Sequence, residues 1–150
     1  MNPKKMRRSR HSDRGAAAVE TALLVPVLLL ILFGVIDFGR LLNAQITLTE
    51  AAREAARSQT LNPTDNRATN ASTAQSRANL LAQNIGTVTV NSGASSFCTP
   101  SAGAGDDAKV VLSHQFKWVT PVGALGSFFG GGGYGANLDL SATGVMPCRA

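Results

Sequence analysis

The apolar positions of the chain are concentrated in one long run near the N-terminus. Residues 16–38 are apolar almost throughout, and their charged members are Glu20 and Asp37. At 1.5 Å per residue this run would form about 34 Å of helix, which is long enough to cross the hydrocarbon core of a membrane. The uncharged part, Thr21 to Ile36, corresponds to only about 24 Å. We therefore predict a transmembrane helix that is a marginal anchor on its own.

The residues after Arg40 keep a helical pattern but become amphipathic. No Pro or Gly interrupts the next twenty residues, and helix formers dominate them. Apolar or small residues recur at alternating spacings of three and four, at Leu41, Ala44, Leu48, Ala51 and Ala55. Acid–base pairs three residues apart follow the solvated side, namely Glu50 with Arg53 and Glu54 with Arg57. We predict one continuous helix that leaves the membrane and ends before Pro63, since the residue before a proline disfavours helix.

The rest of the chain contains one further helical pattern and three alternating ones. Residues 67–84 predict a second, weaker helix, and period-two alternation predicts strands at residues 87–90, 109–118 and 137–146. On the second strand the buried face is expected to carry Val110, Leu112, His114, Phe116 and Trp118. Strands with one apolar and one polar face indicate a half-buried antiparallel sheet, and the long helix is its expected cover.

These elements predict an α+β fold. A long N-terminal transmembrane and amphipathic helix precedes a small domain with a second helix and an antiparallel sheet of about three strands. The expected organisation is a basic leader at residues 1–15, the long helix at 16–60 and the small domain at 61–150.

The positive charge is confined to the leader. Residues 1–15 contain six basic residues and one acidic residue, which equals the net charge of +5 of the whole chain. A nucleic-acid-binding protein would spread Lys and Arg over a folded face, so no nucleic-acid partner is expected. A basic segment directly before an apolar run instead indicates a cytoplasmic N-terminus, with the remainder across the membrane. The alternative, a solvated tail of a soluble protein, leaves the apolar run unexplained.

Both cysteines, Cys98 and Cys148, lie far beyond the apolar run. On the outer side of a membrane, an even cysteine count favours one disulfide. Closure of so long a loop would contribute on the order of 3–4 kcal/mol through the unfolded state. The alternative is two buried free thiols.

A glycine-rich segment with aromatic residues separates the last two predicted strands. It contains Phe128, Phe129 and Tyr134 beside a run of four glycines. Two interpretations are open: a partner-docking loop, or an ordinary long connection whose aromatic side chains lie under the sheet.

No set of residues suggests catalysis, a cofactor or a metal site. The glycine run lacks the Gly-Lys-Ser/Thr ending of a phosphate-binding loop. Asp106 and Asp107 have no further ligands nearby in sequence, and His114 is expected to be a core or interface histidine. The sequence Asn-Ala-Ser at Asn70 fits a glycosylation sequon, a pattern short enough to be common by chance. The chain is expected not to be an enzyme.

Glu20 is the residue that a simple membrane anchor does not explain. An ordinary signal peptide needs a small-residue cleavage site after the apolar run, and the residues around Ala44 fit poorly. An uncleaved anchor must tolerate the desolvation of Glu20 at a cost of a few kcal/mol. Cleavage between Gly15 and Ala16 would instead place a new α-ammonium group about one helical turn from the carboxylate, where the two charges compensate each other.

The segment RGAAAVETALLVPVLLLILFGVIDFGRLLNAQITLTEAAREAAR, Arg14 to Arg57, resembles the N-terminal segment of TadE-like pseudopilins of the tight-adherence (Flp pilus) secretion systems. The combination that carries the resemblance is a basic leader, a Gly, a Glu five residues later, a Pro inside the apolar run, and the sequence DFGR. The segments VVLSHQFKWVTPV and LDLSATGVM are similar, less specifically, to the C-terminal part of longer TadE-like proteins.

The resemblance implies Gly15 and Ala16 as the processing site of a prepilin peptidase, and Glu20 as the processing or assembly residue. It also implies a single-pass protein of the bacterial inner membrane whose domain faces the periplasm. The implied role is in pilus assembly, initiation or surface adhesion. The implied partners are the peptidase, other pilins or pseudopilins, the inner-membrane assembly platform and membrane lipid. The length of the chain favours a minor component over the major pilin.

Two alternatives come from other functional classes. The first is an uncleaved, membrane-anchored periplasmic binding or adhesion module. The second is a hydrolase or other enzyme behind an anchor, which would require a deep pocket with clustered polar groups.

Overall fold

The computed structural model describes residues 11–103, 105–120 and 137–148. The first element, α1, is a single helix from His11 to Leu61 that includes Pro26. The predicted continuous helix is thus confirmed, and it ends two residues before Pro63. Its start lies four residues before Gly15, so the helix extends into the predicted leader.

The charged side of α1 is only partly as predicted. Glu54 and Arg57 form the expected pair, with 3.6 Å between Oε2 and Nη1. Among the described side chains no ion pair joins Glu50 to Arg53.

The second helix, α2, spans Arg67–Leu81 and is shorter than predicted. It begins at the N-cap Asn66, whose side chain accepts hydrogen bonds from the amides of Ala68 and Thr69. Its end is set by a turn in which the amides of Ile85 and Gly86 both donate to the carbonyl of Ala82. Gly86 has a φ of 102°, which other residues rarely adopt, so the helical pattern of the sequence stops there.

Three strands form one antiparallel sheet in the order β1-β2-β3. The strands are β1 at Thr89–Val90, β2 at Asp107–Phe116 and β3 at Leu138–Pro147. The predicted α+β architecture is confirmed. The two long strands are displaced by one or two residues from the predicted bounds, because pairing of Asp107 with Pro147 and of Phe116 with Leu138 sets their ends.

The sheet packs its apolar face on α1, and the core consists largely of alanine. The predicted stripe of α1 is buried except at Leu41, which is half-buried, and alanines of α2 and inward residues of β2 and β3 complete the cluster. Its largest fully buried apolar members are Leu48, Val88, Val110 and Leu112. Small side chains allow close approach of the elements: a Cβ on Gly144 would lie 2.1 Å from the carbonyl oxygen of Ala52.

Strand β2 runs in the direction opposite to α1. Near the start of β2, Val110 pairs with Gly144, which lies against Ala52. At the last residue of β2, the ring of Phe116 lies beneath the guanidinium group of Arg40. The end of β2 therefore lies beside the point where the apolar run of α1 ends.

Cys98 and Cys148 form a disulfide with a Cα–Cα distance of 5.7 Å. Both residues are buried. The bond attaches the end of β3 to the loop that precedes β2, so the expected disulfide is present and the free-thiol alternative is not found.

Candidate processing and assembly segment

The first half of α1 is an exposed apolar helix. No part of its most apolar stretch is buried in the fold. Leu23 is 70% exposed and Val35 is 67% exposed. An apolar surface of this extent requires lipid or neighbouring helices in place of water. The helix is long and apolar enough to cross a membrane.

The predicted processing site and the predicted processing or assembly residue lie at the start of this exposed segment. Gly15, Ala16 and Glu20 are all exposed on helical backbone. Ala16 and Glu20 are four residues apart and so share a face of α1. Within the described part of the chain, Glu20 has no hydrogen-bond or ion-pair partner. A Cβ added to Gly15 would meet no atom within 4 Å, so the fold itself does not require glycine there.

Small residues continue along the helix toward Pro26. A shallow groove is lined by Ala17, Ala18, Thr21, Ala22, Val25 and Pro26. The hydroxyl of Thr21 donates to the carbonyl of Ala17 at 2.8 Å, which satisfies that hydroxyl within the helix. In membranes, small residues at such spacings allow helices to approach closely.

Asp37, at the end of the apolar run, has a role that sequence analysis did not find. Its side chain is buried, with an exposure of 1%. The hydroxyl of Thr120 donates to Oδ2, and Nη1 of Arg40 lies 3.6 Å from Oδ1. The i,i+3 spacing of Asp37 and Arg40 could have indicated their ion pair from sequence. No sequence pattern indicates the contact between Asp37 and the distant Thr120.

Aromatic side chains pack around the same junction. Trp118 makes edge-on contacts with Phe38 at 6.4 Å and with Phe116 at 5.4 Å between ring centroids. The guanidinium carbon of Arg40 lies 5.4 Å from the centroid of the Phe116 ring. Together with Asp37 these contacts attach the segment after β2 to α1.

A polar cleft of about 540 Å³ opens beside this junction. Its lining includes Arg40, Asn43, Asn84, His114 and Lys117. His114 is nearly buried, and its Nδ1 lies 2.8 Å from the carbonyl oxygen of Thr87, so a backbone contact holds the ring as a structural residue. In the described parts of the chain, no group of three or more His, Cys, Asp or Glu side chains is arranged to hold a metal ion.

The remaining predicted features are structural or lie elsewhere. Asn70 is buried, and its side-chain Nδ2 donates to the backbone carbonyls of Thr64 and Cys98. The sequon is therefore not presented for glycosylation. Asp106 accepts a hydrogen bond from the amide of Gly103 at 2.8 Å. The aromatic segment with Phe128, Phe129 and Tyr134 lies outside the described residues.

Comparison with protein families identifies the N-terminal segment. Residues 15–57 match the family model of TadE-like proteins. This N-terminal segment is therefore similar to that of TadE-like proteins. The predicted resemblance is confirmed over residues 15–57, and the match suggests a protein associated with the Tad pilus that has pilus-related protein partners. Among curated proteins and solved structures, no match to the chain is found.

Proposed function

We propose that this TadE-like chain is a minor pseudopilin of a tight-adherence (Flp-type) pilus system, cleaved after Gly15 by a prepilin peptidase. It acts in pilus assembly, initiation or surface adhesion from the inner membrane, with its α+β domain in the periplasm. The observation that carries the proposal is the exposed apolar half of α1, which belongs to the segment matched by the family. It contains Gly15 and Glu20 at the spacing that the resemblance implies for processing.

The geometry of the helix explains why the spacing would matter. Cleavage would turn Ala16 into a charged N-terminus on the same face of α1 as Glu20. Glu20 has no partner among the described residues, so its carboxylate is available to that ammonium group or to the ammonium group of a neighbouring subunit. A charge that costs free energy in lipid would then be compensated during assembly.

The processing site is tested by Gly15→Ala. Because a Cβ at this position meets nothing within 4 Å, the fold should be unaffected while the peptidase loses the residue before its cut. We expect the variant purified from membranes to have the mass of the full chain, with residues 1–15 still attached. Gly34→Ala, also free of contacts within 4 Å, is the matched control and should be processed normally. A wild-type protein that retains its leader would contradict the proposal and favour the uncleaved periplasmic module.

The role of the carboxylate is tested by Glu20→Ala. We expect the variant to insert into the membrane but to be impaired in processing or in piliation, because the new N-terminus loses its partner. Glu50→Ala is the matched control: Glu50 is exposed on the same helix, lacks an ion pair among the described residues and lies beyond the apolar run. Normal processing and wild-type piliation by the Glu20→Ala strain would refute the assigned role.

A further inference from the structure

The polar cleft at the junction, here called the basal cleft, is positively charged. Among the described residues, its lining contains two cationic residues, Arg40 and Lys117, and no carboxylate. Arg40 is partly neutralised by Asp37 at 3.6 Å, whereas Lys117 is exposed and has no ion pair within the described parts of the chain. Side-chain amides of Asn43 and Asn84 add hydrogen-bond donors. The cleft therefore suits an anion that accepts several hydrogen bonds.

The basal cleft lies at the level where a bilayer surface would meet the folded domain. Ile36 is the last residue of the uncharged run, and Arg40 follows it by about one helical turn. Two largely exposed apolar side chains lie close to the cationic residues in sequence: Phe38 is 60% exposed and Val119 is 71% exposed. Exposed apolar side chains next to Arg and Lys are typical of the membrane–water interface.

We propose that the basal cleft binds the phosphate of an anionic phospholipid in the bilayer that α1 enters. Lys117 would supply the free charge, Arg40 a guanidinium group positioned by Asp37 and Phe116, and Val119 an apolar contact with the acyl chain. The inference rests on the membrane location of α1 but not on cleavage or on a place in the pilus.

A lipid is favoured over a soluble anion because of where α1 places the cleft. A protein held in the bilayer by α1 keeps its basal cleft among headgroups at high effective concentration, so even a weak site is filled. The negative surface potential of an anionic leaflet adds to this for each cationic residue near the surface. Binding would restrain the tilt of the domain on the membrane.

The test uses the full-length protein in a zwitterionic detergent and counts bound lipid by native mass spectrometry. Phosphatidylglycerol, phosphatidylcholine and inorganic phosphate are titrated separately. We expect phosphatidylglycerol to bind preferentially and Lys117→Gln to weaken its binding about fivefold, the effect of one cationic residue near a membrane surface. Lys117→Arg should retain binding. Lys109→Gln is the matched control, because Lys109 is exposed on β2 about 27 Å from Lys117, which directly follows the end of that strand.

The outcomes separate this inference from the proposed function. Equal binding of phosphatidylcholine, an equal effect of Lys109→Gln, or saturation by inorganic phosphate as readily as by lipid would overturn it. A second copy of the chain that occupies the cleft would also overturn it and would appear as a lipid-free dimer lost in Lys117→Gln. The unprocessed Gly15→Ala protein should bind phosphatidylglycerol as the wild type does, so failed processing leaves this test intact.

Discussion

At the scale of single residues, Gly144 marks the closest approach of the sheet to α1. An alanine Cβ there would lie 2.1 Å from the Ala52 carbonyl oxygen, a backbone atom that cannot rotate away. We expect Gly144→Ala to lower the free energy of unfolding by about 2–3 kcal/mol, since strand and helix must separate to admit the methyl group. Denaturant titration in detergent, followed through the fluorescence of the single tryptophan, Trp118, measures this.

Gly103→Ala is the control for this substitution. Gly103 lies in a loop, has no atom within 4 Å of an added Cβ and keeps its amide hydrogen bond to Asp106. Its unfolding free energy should change by less than about 0.5 kcal/mol, as for other surface substitutions. A Gly144→Ala protein as stable as this control would show that β3 does not press on α1.

The sequence predicts residues with local roles better than residues with distant partners. The buried faces of α1 and β2 follow from periodicity, and the structure buries Ala44, Leu48, Val110 and Leu112 as expected. Glycine is needed at position 144 because Gly144 lies against Ala52 of α1, which is distant in sequence. Asp37 likewise meets Thr120 across 83 positions, and such pairs have no periodic signature.

At the scale of elements, the disulfide attaches β3 to the loop before β2. It closes a loop with a sequence separation of 50 residues, so its removal should cost about 4 kcal/mol by loop entropy. We expect the double variant Cys98→Ser, Cys148→Ser to unfold at markedly lower denaturant concentration than the oxidised wild type.

Reduction provides the internal control for the disulfide. Dithiothreitol should shift the wild-type unfolding transition toward that of the double variant and leave the variant unchanged. Equal stabilities of the oxidised and reduced wild type would contradict a stabilising bond.

The limits of the elements show where local patterns fail. The pattern predicts α1 almost completely, because apolar content before Arg40 and helix formers without Pro or Gly after it both favour helix, and Pro26 does not interrupt it. The end of α2 was missed since the turn at Gly86 depends on backbone hydrogen bonds to Ala82. Trp118 continues the alternation of β2 in sequence, but it lies outside the strand and contacts Phe38 of α1.

At the scale of the whole molecule, the exposed and buried halves of α1 separate at Asp37. A fragment of residues 37–150 keeps every described contact of the core and loses the apolar surface. We expect it to be soluble without detergent and to unfold cooperatively, as judged by circular dichroism and Trp118 fluorescence.

A shorter fragment, residues 45–150, is the matched comparison. It lacks Asp37, Arg40, Leu41 and Ala44, which hold the end of β2 and the lower part of the core. We expect it to be aggregated or to lack a cooperative transition. A fragment 45–150 as stable as 37–150 would show that the junction contributes nothing to the fold.

The basal cleft is also a feature of the whole molecule, and sequence analysis did not predict it. Arg40, Asn84 and Lys117 come from three separate parts of the chain and meet only because β2 runs back along α1. By contrast, Gly15, Ala16 and Glu20 are neighbours in sequence and were predicted as processing residues, whose roles stay predictions.

The unbroken path of α1 from its apolar half into the core has a mechanical consequence. The helix continues without a break from Ile36 to Asp37. The position of the domain along the helix axis, and its rotation about that axis, are therefore fixed by the apolar half of α1. Each residue of helix corresponds to about 1.5 Å of travel and about 100° of rotation. A helix drawn out of the bilayer, or turned against its neighbours, would therefore transmit torque directly to the sheet, and the packing of the apolar half would determine which face the domain presents outward.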